Sequence, residues 1–233
     1  MDLVRVPNLF TVPGDPLAGA LLAMADRGWN EPLPWAAAGA SLCLYAAGLI
    51  DNDLADLDED RRDRPGRPLP SGAVSAPHAS AIRLVLLIAG LGLAAACNAQ
   101  SFLVACVIAA AVLAYNRVLK RIPVLGPLAM GACRGLSVLL GAVAVAPLAV
   151  EASWTGSGVA ALAIYIAAVS QMARDETGIP GRARTIGVLI GLLPLLQAAL
   201  ALAALRRDSP WVALGLVACA IVSALLRRRF ASS

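Results

Sequence analysis

Residues 34–60 read PWAAAGASLCLYAAGLIDNDLADLDED, an uncharged run from Pro34 to Ile50 that breaks off into Asp51-Asn52-Asp53 and then Asp56, Asp58, Glu59 and Asp60. A bilayer core about 30 Å thick is crossed by roughly 20 mostly apolar residues, because a helix rises about 1.5 Å per residue. The run has no period-2 alternation of apolar and polar residues, so a membrane barrel strand is excluded and a helix over 34–54 is predicted. Its acidic end then falls where the helix leaves the hydrocarbon.

Seven more apolar segments of similar length flank it, at 9–29, 79–98, 101–119, 124–147, 157–173, 184–205 and 210–226. Together they predict an all-α, polytopic transmembrane bundle of about eight spans, with residues 1–233 forming one integral membrane domain. The composition agrees: 59% hydrophobic and 15% charged residues with a mean hydropathy of +0.76 exclude an ordinary water-soluble domain. The first segment holds Pro13, Asp15 and Pro16 and no basic stretch leading into a compact apolar core, so it reads as a retained, irregular helix rather than a cleaved signal.

Basic residues set the orientation. Arg5, Arg61, Arg62, Arg64, Arg67, Arg83, Arg117, Lys120, Arg121, Arg174, Arg182 and Arg184 fall on one side of the predicted spans, with Arg227, Arg228 and Arg229 in the tail; only Arg27, Arg206 and Arg207 fall on the other. The positive-inside rule then makes both termini and the 56–75 loop cytosolic, with a bacterial inner membrane as the expected location. The net charge of +4 is a topology signal, and no nucleic-acid partner is implied. Cys43, Cys97, Cys106, Cys133 and Cys219 all fall in predicted spans without Cys-x-x-Cys spacing, so neither a disulfide framework nor a zinc site follows. His78, the sole histidine, sits beside Pro77 and reads as a helix-starting residue.

If the second helix continues past Ala55, Asp53, Asp56 and Asp60 are three and four residues apart and share a face. Stacked carboxylates repel, and a hard divalent cation makes such a cluster favourable. Mg²⁺ takes one or two protein carboxylates and leaves places for water and substrate phosphates. The stretch from Asp63 to Gly72 is a Pro-rich turn that would fold Arg64 and Arg67 back toward the acids, where guanidinium groups suit phosphate oxygens. Ionisable groups at the membrane boundary are expensive, which sets this cluster apart from a solvated loop.

The pattern Asn52-Asp53-x-x-Asp56-x-x-x-Asp60, followed by Arg64-Pro65-Gly66-Arg67-Pro68-Leu69-Pro70-Ser71-Gly72, resembles the first aspartate-rich motif of the UbiA superfamily of intramembrane prenyltransferases. Arg5-Val6-Pro7-Asn8 is similar to the entry of that family's first helix. Tyr115 to Lys120 with Arg121-Ile122-Pro123 is similar to the motif ending its fourth, and Leu125 to Gly141, with Arg134-Gly135-Leu136-Ser137, to its fifth. The resemblance implies a helical bundle around a cavity, Mg²⁺ as cofactor, a prenyl diphosphate donor, and a lipophilic or aromatic acceptor within the lipid bilayer.

By the same resemblance Asn52, Asp53, Asp56, Asp60, Asp175 and Glu176 are candidate metal ligands, and Asp53, Asp56, Asp60 and Asp175 carry the catalytic role. Arg64, Arg67, Tyr115, Lys120, Arg121, Arg134 and Asn8 are the candidate diphosphate contacts. For Asn8 an N-cap reading competes, and for Tyr115 an aromatic-belt reading. Arg134 lies well inside an apolar segment and is expected to face the cavity or pair with an acid. Asp58, Glu59 and Asp63 read as solvated. Gly90, Gly92, Gly131, Gly135, Gly187 and Gly191 read as close-packing positions.

Two departures stand out. The family commonly has nine transmembrane helices, against eight here. The second motif of the family reads Asp-x-x-x-Asp, whereas here Asp175 is followed by Glu176 and Ile179 stands at the second aspartate's place. A shortened second motif is similar to the Ebo-cluster branch, and it keeps open a second function: a UbiA-fold protein that binds or transports an isoprenoid or other lipid-like ligand.

With single cysteines placed in the 56–75 loop and in the tail of a cysteine-free chain, a membrane-impermeant thiol reagent should label both from the same face of sealed vesicles. Labelling from opposite faces would show that the span count is off by one.

Overall fold

The structure is a computed structural model and describes residues 9, 11–27, 31–147, 153–174 and 182–204. Among them the chain forms eight α-helices and no strand. These are α1 (Gly14–Arg27), α2 (Trp35–Ala55), α3 (Leu57–Asp63), α4 (Ala76–Cys97), α5 (Ala99–Arg117), α6 (Leu125–Val145), α7 (Ser153–Arg174) and α8 (Arg182–Ala204), with a 3-10 turn at Leu119–Arg121 between α5 and α6. The expected span at 210–226 and the basic tail lie outside the described residues.

Among the described residues four helices, α4, α5, α6 and α7 from Trp154 onward, are long and apolar enough to cross a membrane. They face different surroundings. Only 11% of the most apolar window of α4 is buried, against 56% of that of α6. Ile82, Leu84, Val85 and Ile88 of α4 and Leu103 and Val107 of α5 are exposed, an arrangement tolerable only if lipid is the solvent there. These helices form the outer wall and α6 the interior.

α1 is shorter than the segment expected at 9–29. Its 14 residues begin after a turn at Thr11–Pro13 and span about 21 Å, less than the hydrocarbon thickness. Pro16 falls in the first helical turn, where its missing N–H would have had no intrahelical partner. α2 has the expected length, but its polar last turn carries Asp51, Asn52 and Asp53. α4 begins three residues earlier than expected. Ser75 accepts from His78 N, Pro77 sits in the first turn, and His78 Nδ1 lies 3.1 Å from Ser75 Oγ, the helix-starting role read from the sequence.

α1 and α6 pack together at the centre. α2, α4 and α5 lie to one side, while α7 and α8 lie to the other. The cores are built from small and branched residues: Ala37, Ala40 and Leu44 of α2 meet Ala94, Ala105, Ile108 and Leu140, and Leu22 of α1 meets Val138, Leu162, Ile166 and Leu193. A Cβ at Gly19 would fall on the Val138 carbonyl, and one at Gly141 on the Pro16 carbonyl, so both glycines set how closely α1 and α6 approach. Among the glycines read as packing positions, Gly90, Gly131 and Gly135 do meet neighbours. Gly92 and Gly187 face open space, which corrects that reading: helical sequence alone does not tell a helix-facing glycine from a lipid-facing one.

Across the bundle, Asp26 near the end of α1 accepts from Thr155 N at 2.9 Å and Trp154 N at 3.2 Å, satisfying free donors in the first turn of α7.

In detergent micelles, Gly141→Ala should lower unfolding stability by about 1–3 kcal/mol through overpacking against the α1 backbone. Gly92→Ala should leave the melting temperature unchanged or raise it slightly.

Candidate active site at the mouth of a membrane cavity

A cavity of about 280 Å³ opens between α1, α2, α5 and α6. Tyr45, Leu49, Ile108, Val112 and Met130 give it apolar walls. Asn52, Tyr115 and Asn116 line the end formed by the last turns of α2 and α5, and Asp15, Ser41, Arg134 and Ser137 line it deeper.

The acidic stretch does not run on as one helix. α2 ends at Ala55, Asp56 occupies the break, and α3 starts at Leu57, although Asp56 N still bonds Asn52 O at 3.0 Å and Asp60 N bonds Asp56 O at 2.8 Å. The acids therefore take separate partners. Lys120 Nζ, carried by the 3-10 turn, donates to Asn52 Oδ1 at 3.1 Å and to Asp56 Oδ1 at 2.5 Å. Asp60, buried, pairs with Arg67 at 2.6 Å and with Arg64 at 3.7 Å, so the Pro-rich turn does fold its arginines back onto the acids. That turn is closed by Gly72 in the left-handed region at φ 78°. Asp53 is half-buried in the last turn of α2. Asp58, Glu59 and Asp63 are exposed, as the sequence suggested.

A second ion cluster lies directly behind the mouth. Asp51 is buried at 2% exposure and accepts from Arg83 at 2.5 Å and from Asn116 Nδ2 at 3.0 Å, with Arg117 3.6 Å away. Asn116 also donates to Gly48 O at 3.0 Å. One carboxylate thus ties α2 to both α4 and α5. The sequence reading had placed Arg83 and Arg117 only as topology signals and gave Asn116 no role. The available signal was that Asp51 follows directly on an apolar run and needs a cation within reach.

α7 also reaches this end of the bundle. Its last residue, Arg174, donates to Lys120 O at 2.5 Å and to Ile122 O at 3.4 Å, so α7 ends against the turn that carries Lys120. Arg134, half-way along α6, does both things expected of it: it lines the cavity and pairs with Asp15 at 2.9 Å. Tyr115 lines the cavity wall. Arg121 is exposed. Asn8, Asp175, Glu176 and Ile179 lie outside the described residues.

Among the described residues no group of three or more His, Cys, Asp or Glu side chains converges to hold a metal ion. Mg²⁺ requires only one or two carboxylates beside water and phosphate. Two hard oxygens here, from Asn52 and Asp56, already converge on one cation, the Lys120 ammonium. The donor chemistry therefore fits.

The sequence model of the UbiA prenyltransferase family matches residues 16–233. The chain belongs to this family. Among similar proteins is the digeranylgeranylglyceryl phosphate synthase of Halobacterium salinarum, 34% identical over 82% of this chain and 68% of its own length. The Saccharolobus solfataricus protein of that name is 29% identical over 62% of this chain but only 51% of its own length, so the chain spans about half of some of its relatives. The apo structure of a UbiA homolog from Aeropyrum pernix K1 superposes with a TM-score of 0.59 at 25% identity, covering 94% of this chain and 87% of that one. The all-helical bundle is therefore the UbiA fold, and an integral membrane location agrees with it.

Asp51→Asn should lower unfolding stability by about 1–3 kcal/mol, because the carboxylate that Arg83 and Asn116 hydrogen-bond is lost and Arg83 is left part-buried without its counter-charge. Arg117→Gln should cost much less, since its contact with Asp51 is long and Arg117 itself is largely exposed.

Proposed function

We propose that this UbiA-family chain is an intramembrane prenyltransferase that moves an isoprenyl group from a prenyl diphosphate to a lipophilic or aromatic acceptor, with Mg²⁺ as cofactor. The observation that carries the reading is Lys120, a cation at an apolar cavity's mouth whose two contacts, Asn52 and Asp56, belong to the aspartate-rich motif. Asn52, Asp53 and Asp56 would hold the metal. Bound there, Mg²⁺ would supply charge to the departing diphosphate.

In the reaction the bond from the prenyl C1 to the diphosphate oxygen breaks, a bond from C1 to the acceptor forms, and the acceptor gives up a proton. Negative charge builds on the leaving group, and pre-placed donors stabilise it. Lys120 is suited to this because its pair with Asp56 is part-exposed, at 15% and 22%, so the ammonium can turn to a phosphate when the carboxylate turns to metal. Arg67 and Arg64 keep Asp60 neutralised meanwhile and lie on the same loop. Asp175 and Glu176 are proposed as carboxylates of the same site. The contact of Arg174 with the Lys120 backbone supports that assignment, since Arg174 immediately precedes them. Both termini are proposed to be cytosolic, with residues 1–233 forming one domain.

Ile179, at the place of the family's last aspartate, favours a second reading in which the site binds an isoprenoid without turnover.

Purified protein in lipid nanodiscs should bind a labelled prenyl diphosphate only with Mg²⁺, and Asp53→Ala or Asp56→Ala should each abolish that binding while the protein still elutes as a folded species. Retention of wild-type binding by both variants would refute the site. Diphosphate release on addition of acceptor separates enzyme from carrier.

A further inference from the structure

The turn that carries Lys120 depends on a donor from another helix. After α5, Arg121 N bonds Val118 O at 3.3 Å and Ile122 N bonds Leu119 O at 3.0 Å, which closes the 3-10 turn. The next bond of that series would run from the N–H of residue 123 to the Lys120 carbonyl. Residue 123 is proline and has no N–H to give. In its place Arg174 Nη1, at the end of α7, donates to Lys120 O at 2.5 Å and more weakly to Ile122 O at 3.4 Å.

An arginine at a membrane edge ordinarily turns its guanidinium to headgroups or water. Here one of its nitrogens is spent on the carbonyls of a single turn, and a glycine makes room for it. A Cβ at Gly126, buried in the first turn of α6, would lie 2.8 Å from Arg174 Nη1, 3.2 Å from Leu119 O and 3.3 Å from Lys120 Cα. The turn and the guanidinium are therefore seated together on α6. Lys120 is held at both ends, its carbonyl by Arg174 and its ammonium by Asn52 and Asp56.

The two holds are not equivalent during binding. A lysine ammonium rides on a flexible four-carbon stem, and it loses a partner when Asp56 turns to a metal. The anchor on the backbone is then what keeps the stem rooted at the cavity mouth. We infer that Arg174 is a positioning residue acting through Lys120: it caps the carbonyl that Pro123 cannot serve, and so keeps the ammonium within reach of the diphosphate. The inference rests on the reading of Lys120 as a diphosphate contact.

The test uses the full chain in nanodiscs with Mg²⁺ and two labelled probes, farnesyl diphosphate and farnesol, with binding to empty nanodiscs subtracted. Arg174→Met keeps much of the side chain's length and removes its donors. It should weaken farnesyl diphosphate about three- to tenfold, as loss of one hydrogen bond would give, and leave farnesol unchanged. Arg174→Lys, which keeps a donor, should recover most of that affinity. Lys120→Ala should weaken the diphosphate about tenfold, and adding Arg174→Met to it should cost nothing further. Gly126→Ala, whose methyl would displace the guanidinium, is a second route to the same loss, and its cycle with Lys120→Ala decides the matter if Arg174→Met does not fold. Equal losses for diphosphate and farnesol would make Arg174 a general support of the fold, and additive losses in the double variant would make it a phosphate contact in its own right. Either result overturns the inference, as does loss with Lys120→Ala beside an unaffected Arg174→Met. No binding of farnesyl diphosphate by the wild type, or wild-type affinity in Lys120→Ala, overturns the reading of the mouth and this inference with it.

Discussion

A charge placed inside an apolar bundle must find its counter-charge on another helix, and in this chain that requirement organises the assembly. On insertion scales an unpaired ionised side chain at a helix centre costs about 2.5–3.5 kcal/mol. Asp15 finds Arg134, and so fixes α1 against α6. Asp51 finds Arg83 and Arg117, and so fixes α2 against α4 and α5. Between helices whose contacts are mostly Ala, Leu and Val, apolar packing alone has little to say about register, since lipid is as apolar as the partner. The ion pairs supply the missing specificity.

The pairs differ in how far they can be exchanged. Asp51 and Asp15, at 2% and 0% exposure, are sealed by several donors each, and removing a partner would strand a charge. Asp56 and Lys120 sit at the mouth with part of both side chains accessible. Their attraction is weakened by nearby solvent, and each can accept a different partner at modest cost. A rigid frame of sealed pairs around one part-exposed pair suits the proposed active site, in which the sealed pairs would hold the helices in place while the open one changes partners.

Much of this was legible in the sequence, and what was not has a common cause. Hydrophobic runs marked the helices, since membrane length is a strong constraint, and the charge break after Ile50 marked the mouth. The expected return of Arg67 onto the acids held because proline and glycine dictate a turn there. Pairing across helices was not legible. Arg83 and Arg117 lie more than 30 residues from Asp51, and the same residues equally suit a headgroup anchor. The continuity of α2 into its acidic tail also misled: three- and four-residue spacing put Asp53, Asp56 and Asp60 on one face, but the break at Asp56 hands Asp60 to Arg67 instead. Gln197 meets Asp15 and the Thr11 carbonyl only because α8 returns beside α1, a fact of topology that no local pattern encodes.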